Sequence, residues 1–381
     1  MEAEYRVTYS NFVSVSPACR QQSTVAQFVI AVQIALDTNP LYTTRAGVAR
    51  YVRGLQAGLR ANNDTAFEVA PLAWKVENFS YVQPARAIKT AWRELVWART
   101  TAPRQLRGTK ADLLHSTALP LIEYSPCRHV VTLHDLALLR NPARFRPWQR
   151  RRGLNRLKRI ADADHIIAVS QFTADEAMGL LQVPAAKLSV VHHGVPLAEH
   201  EEMPAGLPDE FFLFVGSLEP GKNLSLLKQV WHQAQQNGAS LPPLVIAGAR
   251  WEGVATEGSP PADWYYLGYQ SDEVLLALYR RARGLLFPSL YEGFGLPVLE
   301  AMAAGCPVIC GRVASLPEVG GDAACYADLT IKGYLSAIDA LIRDDEMREH
   351  LRQAGLDHAR KFTWARCAQE TSEVWRQTLS V

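Results

Sequence analysis

Short apolar runs alternate with stretches of helical period along most of the chain. Runs at 28–36, 113–114, 129–133 and 165–169 have the length and composition of buried strands. Between them, 48–59, 90–99 and 151–159 read as helices; in the first, Val48, Tyr51, Val52, Leu55 and Leu59 share one face. The pattern then restarts, with strands expected at 211–215, 244–247, 265–267, 284–287 and 307–309 and helices over 224–237, 272–283 and 297–304. Strands alternating with helices predict mostly parallel sheets covered on both faces. The fold class is therefore α/β, with two doubly wound, Rossmann-like domains.

Between the two patterns, Glu201, Glu202, Pro204, Gly206 and Pro208 give 200–209 the composition of a linker. The chain divides into an extension over 1–25 without clear period, expected to be flexible, a first domain over 26–200 and a second over 201–363. A last helix over 364–381, with Trp364, Cys367, Ala368, Val374 and Leu379 apolar, is expected to pack back on the first domain. Open α/β sheets bind ligands beyond the carboxyl ends of their strands, so a ligand in a cleft between the two touches both.

Composition agrees with two soluble cores: 381 residues, 48% apolar and 20% charged. The net charge of +2 conceals an asymmetry, with 25 basic against 15 acidic residues up to position 200 and 15 against 23 after it. Nine of the basic residues lie between Arg140 and Arg159, interleaved with Phe145, Trp148, Leu154 and Leu157. Such a run is either a solvated helix face or a contact with anionic lipid headgroups or a pyrophosphate-bearing acceptor. No nucleic-acid motif accompanies it, so nucleic acid is not an expected partner. Six scattered cysteines without a CxxC pair read as free thiols in a reducing compartment. The acidic start, Glu2 and Glu4, argues against a signal peptide, and nowhere do about 18 apolar residues run together. The expected location is cytoplasmic, peripheral on the inner face of the plasma membrane.

The densest chemistry lies in PSLYEGFGLPVLEAMAAGCPVI, residues 288–309. Gly293 and Gly295 allow close approach of backbone to a ligand, and Pro297 suits a first helical turn. Exposed amides and the helix dipole there favour an anion such as phosphate. Glu292 and Glu300 place two carboxylates at one cleft, and carboxylates accept the hydrogen bonds that sugar hydroxyls donate.

Here the sequence resembles the retaining, glycogen-synthase-like group 1 glycosyltransferases of GT-B fold, whose signature is two glutamates separated by seven residues. The likeness runs from about Ala31 to Trp375 through GVARYVRGL, DLLHSTALP, VVTLHDLALL, ADHIIAVSQFT and FVGSLEPGKNLSLL. It implies roles residue by residue. Gly47 faces the donor diphosphate, or is an ordinary helix-entry glycine. His134 lines the sugar site, while Asp135 either orients it or caps the next segment. Gly216 and Ser217 border the donor, and Lys222 meets the diphosphate, where a cation stabilises charge growing on the leaving group. Glu292 holds hexose hydroxyls, Glu300 the ribose, and Phe294, Gly295 and Leu296 present amides; Asp272 lies near the base. The catalytic set implied is His134, Lys222 and Glu292.

Two departures stand out. Many relatives carry an arginine where this chain has Ser217 or Gly221, so the second cation for the diphosphate must come from elsewhere, with Arg45 and Arg50 as candidates; and Ala49 replaces a common glycine. The resemblance implies hexose transfer with retention from a nucleoside diphosphate sugar, GDP-mannose favoured, to a glycan or polyprenyl-linked glycan acceptor in polysaccharide assembly. No metal and no cofactor are implied. The rival activities are nucleotide-sugar 2-epimerisation, disfavoured by the glutamate pair, and a catalytically silent scaffold. A nicotinamide site is excluded because the third position of GxGxxG is Val298.

Overall fold

The computed structural model describes residues 31–380 apart from 46, 78–84, 123–124, 143–144, 196–199 and 250–260. The extension 1–25, Cys19 and positions 28–30 of the first expected strand lie outside the described residues. Two six-stranded parallel sheets form two lobes. The first contains β1 (Val32–Asp37), β2 (Phe67–Leu72), β3 (Leu113–Ser116), β4 (Arg128–Leu133), β5 (His165–Ala168) and β6 (Leu188–Val190), in the order β2-β1-β3-β4-β5-β6. The second contains β7 (Phe212–Val215), β8 (Leu244–Ala247), β9 (Trp264–Gly268), β10 (Gly284–Phe287), β11 (Val308–Cys310) and β12 (Cys325–Tyr326), in the order β12-β11-β10-β7-β8-β9.

In the second sheet the central strands β7, β8 and β10 are apolar throughout because helices cover both sheet faces, while β3, β4 and β5 of the first are largely buried but carry histidine, serine or threonine among their apolar residues. In β7, Leu213 and Val215 enter one core cluster and Phe212 and Phe214 the other, the two-residue alternation of a pleated strand. Each sheet reverses its strand order once, between β1 and β3 and between β7 and β10. Those reversals open the crevices where this architecture holds ligands.

Several boundaries differ from expectation. The helix expected at 151–159 begins earlier, as Pro147–Lys158, because Pro147 fits a first turn and Gln149 accepts from the Arg146 amide at 3.0 Å. The helix expected at 272–283 stops at Arg281, where Ala282 turns extended into β10. The helix Gly47–Asn62 and the helix Trp364–Leu379 pack with almost no space between them. A methyl on Gly54 would come within 2.0 Å of the Trp364 ring, and one on Gly58 within 2.1 Å of the Trp364 carbonyl. Trp375, fully buried beneath them, donates Nε1–H to His115 Nδ1 at 3.3 Å. Among the described residues no helix is long and apolar enough to cross a membrane.

Candidate active site

The two segments that flank the second sheet's reversal carry the charged groups. The loop after β7 contains Gly216, Ser217 and Lys222, and the loop after β10 contains Glu292 and the glycines. Gly216 leaves its Cα open to the Lys222 stem, which a methyl there would meet at 3.7 Å. Lys222 Nζ donates to Glu292 Oε1 at 2.5 Å, with side chains 16% and 12% exposed, so two sequence-inferred residues form one ion pair at the crevice. Ser217 turns toward Glu219 at 3.3 Å. Gly295 sits at φ +97°, a left-handed conformation suited to glycine, and starts the helix Leu296–Ala303 that carries Glu300.

His134 faces this loop from the end of β4. A methyl on Gly293 would lie 1.8 Å from the His134 carbonyl oxygen, so backbone touches backbone across the lobes. His134 Nε2–H donates to the Thr117 carbonyl at 2.9 Å, which fixes the proton on Nε2 and leaves Nδ1 an acceptor for a hydroxyl. Burial pushes its imidazole pKa down, against the opposing pull of Thr117 and Asp135, so the ring is neutral. Asp135 accepts from the Ala137 amide at 2.9 Å, the capping alternative of its two readings. Gly47 opens its helix against the tip of Leu296, 3.5 Å from where a Cβ would stand.

Glu300 is already engaged. Arg50, in the first turn of the helix Gly47–Asn62, donates to Glu300 Oε1 at 2.5 Å and to Asp272 Oδ1 at 2.8 Å; Tyr279 donates to Glu300 Oε2 at 3.1 Å. Burial opposes the Arg50 charge, but the two carboxylates raise its pKa above the usual range. Arg45 lies over the Tyr269 ring at 5.6 Å. Both arginines proposed from the sequence to supply a second cation thus reach the second lobe.

The seam between the lobes holds groups that no motif announced. Ser170 and Thr173 hydroxyls donate to the Gly293 carbonyl at 2.7 and 3.1 Å. Tyr291 hydroxyl accepts from the Leu136 amide at 3.0 Å and donates to buried Glu176, which also takes Arg140 at 2.5 Å. Glu318 accepts from the Gln171 and Phe172 amides at 2.7 and 3.2 Å and from His192 at 2.6 Å, placing a carboxylate from one lobe on a helix start of the other. Burial would raise its pKa, yet these hydrogen bonds hold it below the usual carboxylate range. The tandem His192-His193, just past β6, is the sequence feature that marks this seam. His193 is 2% exposed, stacks on Tyr51 at 4.8 Å and touches Phe294 at 4.7 Å, and among the described residues neither ring nitrogen has a hydrogen-bond partner.

Besides His134, burial lowers the pKa of His115, His129, His165 and His193. His115 falls to about 3, His129 to about 4 despite the opposing Asp164, and His193 well below 6.5. An unfolded chain binds protons at these positions below pH 6.5 while the folded one does not, so their stabilisation is complete above that pH and drains away as pH falls. Each proton contributes about 1.4 kcal/mol per pH unit. Denaturant unfolding is expected to show stability falling as pH drops from 6.5 to 4.5, and His193→Phe to make that fall shallower by about 1 kcal/mol per pH unit. An identical slope in the variant would refute the assignment.

Among the described residues no three His, Cys, Asp or Glu side chains gather as a metal site. The Arg140 to Arg159 region includes an exposed Trp148, while Arg152 and Arg156 both pair with Glu94.

Comparison with known proteins adds a second line. The family model described as "Glycosyl transferases group 1" matches residues 198–358, and that described as "Glycosyltransferase Family 4" matches 45–199. The chain is 34% identical to O-antigen chain mannosyltransferase B of Escherichia coli over 268 residues, covering 65% of this chain and 70% of that protein. It is 29% identical to the E. coli serotype-specific mannosyltransferase WbdA over 64% of its length, but spans only 32% of that longer protein. Among solved structures, sucrose-phosphate synthase from Thermosynechococcus elongatus superposes with TM-score 0.71 at 18% identity, over 92% of this chain and 99% of that one. Anabaena HepE in complex with UDP and glucose gives 0.62 at 16% identity, over 91% and 100%. These two share the GT-B architecture of paired parallel sheets.

Proposed function

The chain belongs to the group 1 glycosyltransferases, and from that membership we propose that it transfers mannose from GDP-mannose, with retention, to a lipid-linked glycan acceptor. One observation carries the reading: the Lys222–Glu292 pair and the neutral His134 converge from opposite lobes, joined where Gly293 meets the His134 carbonyl. Mannose and an O-antigen-like acceptor are favoured by the names of the E. coli relatives.

In this reading Glu292 and His134 Nδ1 accept hydrogen bonds from hexose hydroxyls, and Lys222 stabilises the diphosphate as it departs. The bond from the anomeric carbon to the β-phosphate oxygen breaks through an oxocarbenium-like transition state. The acceptor oxygen bonds that carbon on the same face, and its proton passes to the leaving phosphate oxygen. No carboxylate forms a sugar adduct and no metal takes part. The donor ribose competes with Arg50 for Glu300, and the released guanidinium is the second cation for the diphosphate, in place of the arginine that Ser217 and Gly221 lack. Trp148 and the exposed Arg150 and Arg151 meet the anionic inner face of the plasma membrane.

GDP-mannose at 100 times its dissociation constant is expected to stabilise the protein by about 2.7 kcal/mol, while UDP-glucose leaves it unchanged. Incubation with acceptor is expected to release GDP, give an α-linked mannoside and proceed in EDTA. Stabilisation by UDP-glucose alone overturns the donor assignment, a β-linked product overturns retention, and an isomerised nucleotide sugar formed without acceptor turns the reading to epimerisation.

A further inference from the structure

Arg93 is 5% exposed, yet among the described residues its guanidinium makes no hydrogen bond or ion pair, and Nη1 is fully covered without a partner. A buried, uncompensated cation is costly, so a protein keeps one where an anion completes it. The neighbouring charges do not complete it. Arg152 and Arg156 share one carboxylate, Glu94, the residue next to Arg93. Asp37 is buried and accepts from the Asn39 backbone and side-chain amides at 2.9 and 2.8 Å; burial raises its carboxyl pKa, against the opposing pull of Asn39, Arg156 and Arg93. Three guanidinium groups thus share two carboxylates, Glu94 already paired with Arg152 and Arg156 and Asp37 already held by Asn39.

The position fits a ligand. Asp37 ends β1, Trp74 lies just past β2 with Arg93 6.0 Å from its ring, and Arg159 donates to the carbonyl of Leu121, beyond β3, at 2.8 Å. The cluster therefore stands past the carboxyl ends of three adjacent strands, the edge where such sheets take ligands. Next to it, Ile88, Trp92 and Leu95 stand exposed at helical spacing on the helical segment that carries Arg93. Arginine recognises phosphate through paired N–H donors, and an apolar stripe recognises a hydrocarbon.

We propose that Arg93, Arg152 and Arg156 bind the diphosphate of a polyprenyl-linked acceptor, whose isoprenoid chain lies along Ile88, Trp92 and Leu95. This rests on the reading that the acceptor is lipid-linked, and it assigns the groups that recognise the linkage.

The test titrates the full chain, saturated with GDP, with farnesyl diphosphate, farnesol and inorganic pyrophosphate by calorimetry. Farnesyl diphosphate is expected to bind at least ten-fold more tightly than either fragment. Arg93→Met should weaken it at least ten-fold, Arg93→Lys should recover part of the loss, and Trp92→Ser should weaken farnesyl diphosphate but not pyrophosphate. Equal binding by wild type and a folded Arg93→Met overturns the site. If Arg93→Met does not fold, unchanged binding in Arg152→Met and Trp92→Ser does the same. Vesicles of phosphatidylglycerol separate a general headgroup contact: a loss there equal to that for farnesyl diphosphate overturns the acceptor assignment. Farnesyl diphosphate binding without any transfer from GDP-mannose supports the site while removing the donor reading.

Discussion

Glu292→Gln is expected to lower kcat by at least about 100-fold, some 2.7 kcal/mol of transition-state stabilisation, while the melting temperature falls by only a few degrees. The replacement keeps shape and removes charge. Glu292 sits at the crevice, paired with Lys222, and its side chain lies outside the core clusters. The carboxylate only accepts, so each hydroxyl facing it must donate; the amide replaces one of the two acceptor oxygens with an NH2 that donates. Lys222 also loses its partner and is freed to bind diphosphate in the ground state, so KM for the donor is expected to fall or stay level while kcat collapses. Steady-state kinetics with thermal denaturation in parallel measures both. A folded variant within three-fold of wild-type kcat ends the case for Glu292 as a catalytic residue.

Gly293→Ala is expected to abolish most activity by a different route. Its methyl would lie 1.8 Å from the His134 carbonyl oxygen and 2.8 Å from Asp135 Cβ, one of them backbone and both in the opposite lobe. The Gly293 carbonyl is meanwhile held by Ser170 and Thr173, so its peptide has no free direction in which to yield. Relief requires the lobes to part, which carries His134 away from Lys222 and Glu292. A displacement of an ångström at reacting groups costs about 100-fold in rate, and that is the loss expected in kcat/KM. Gly179→Ala is the control, since a Cβ there meets nothing within 4 Å on a helix and favours helix by up to about 1 kcal/mol. Gly293→Ala with full activity would show that the close approach of the lobes does not matter to turnover.

The parts of this molecule visible in its sequence are those where one physical requirement acts alone. The central strands β3, β4, β5, β7, β8 and β10 are covered on both faces, so composition betrays them. Three of the four edge strands lack that signal because half-exposed positions dilute it: β2 alternates poorly, β6 is only partly buried, and β12 has two residues; the fourth, β9, is marked by its run of aromatic residues. The loop after β10 was legible because glycine, proline and carboxylate each serve a separate need there. Arg50 could be offered only as one of two candidates, since its partners Glu300 and Asp272 lie more than 200 residues away. Glu318 and Tyr291 carried no local signature, because they meet the other lobe. Arg93 was hidden for the same reason: an arginine in a helix looks solvated until the fold covers it.

The helix Trp364–Leu379 has a consequence for how the molecule is made. It covers Tyr51, Val52 and Leu55 of the helix Gly47–Asn62, so the first lobe needs a segment translated after the whole of the second. On a ribosome the order of maturation is therefore inverted. The later-coded lobe has all its own strands out before the earlier one is finished, and the earlier one waits, with an uncovered greasy flank, for its final buttress to leave the exit tunnel.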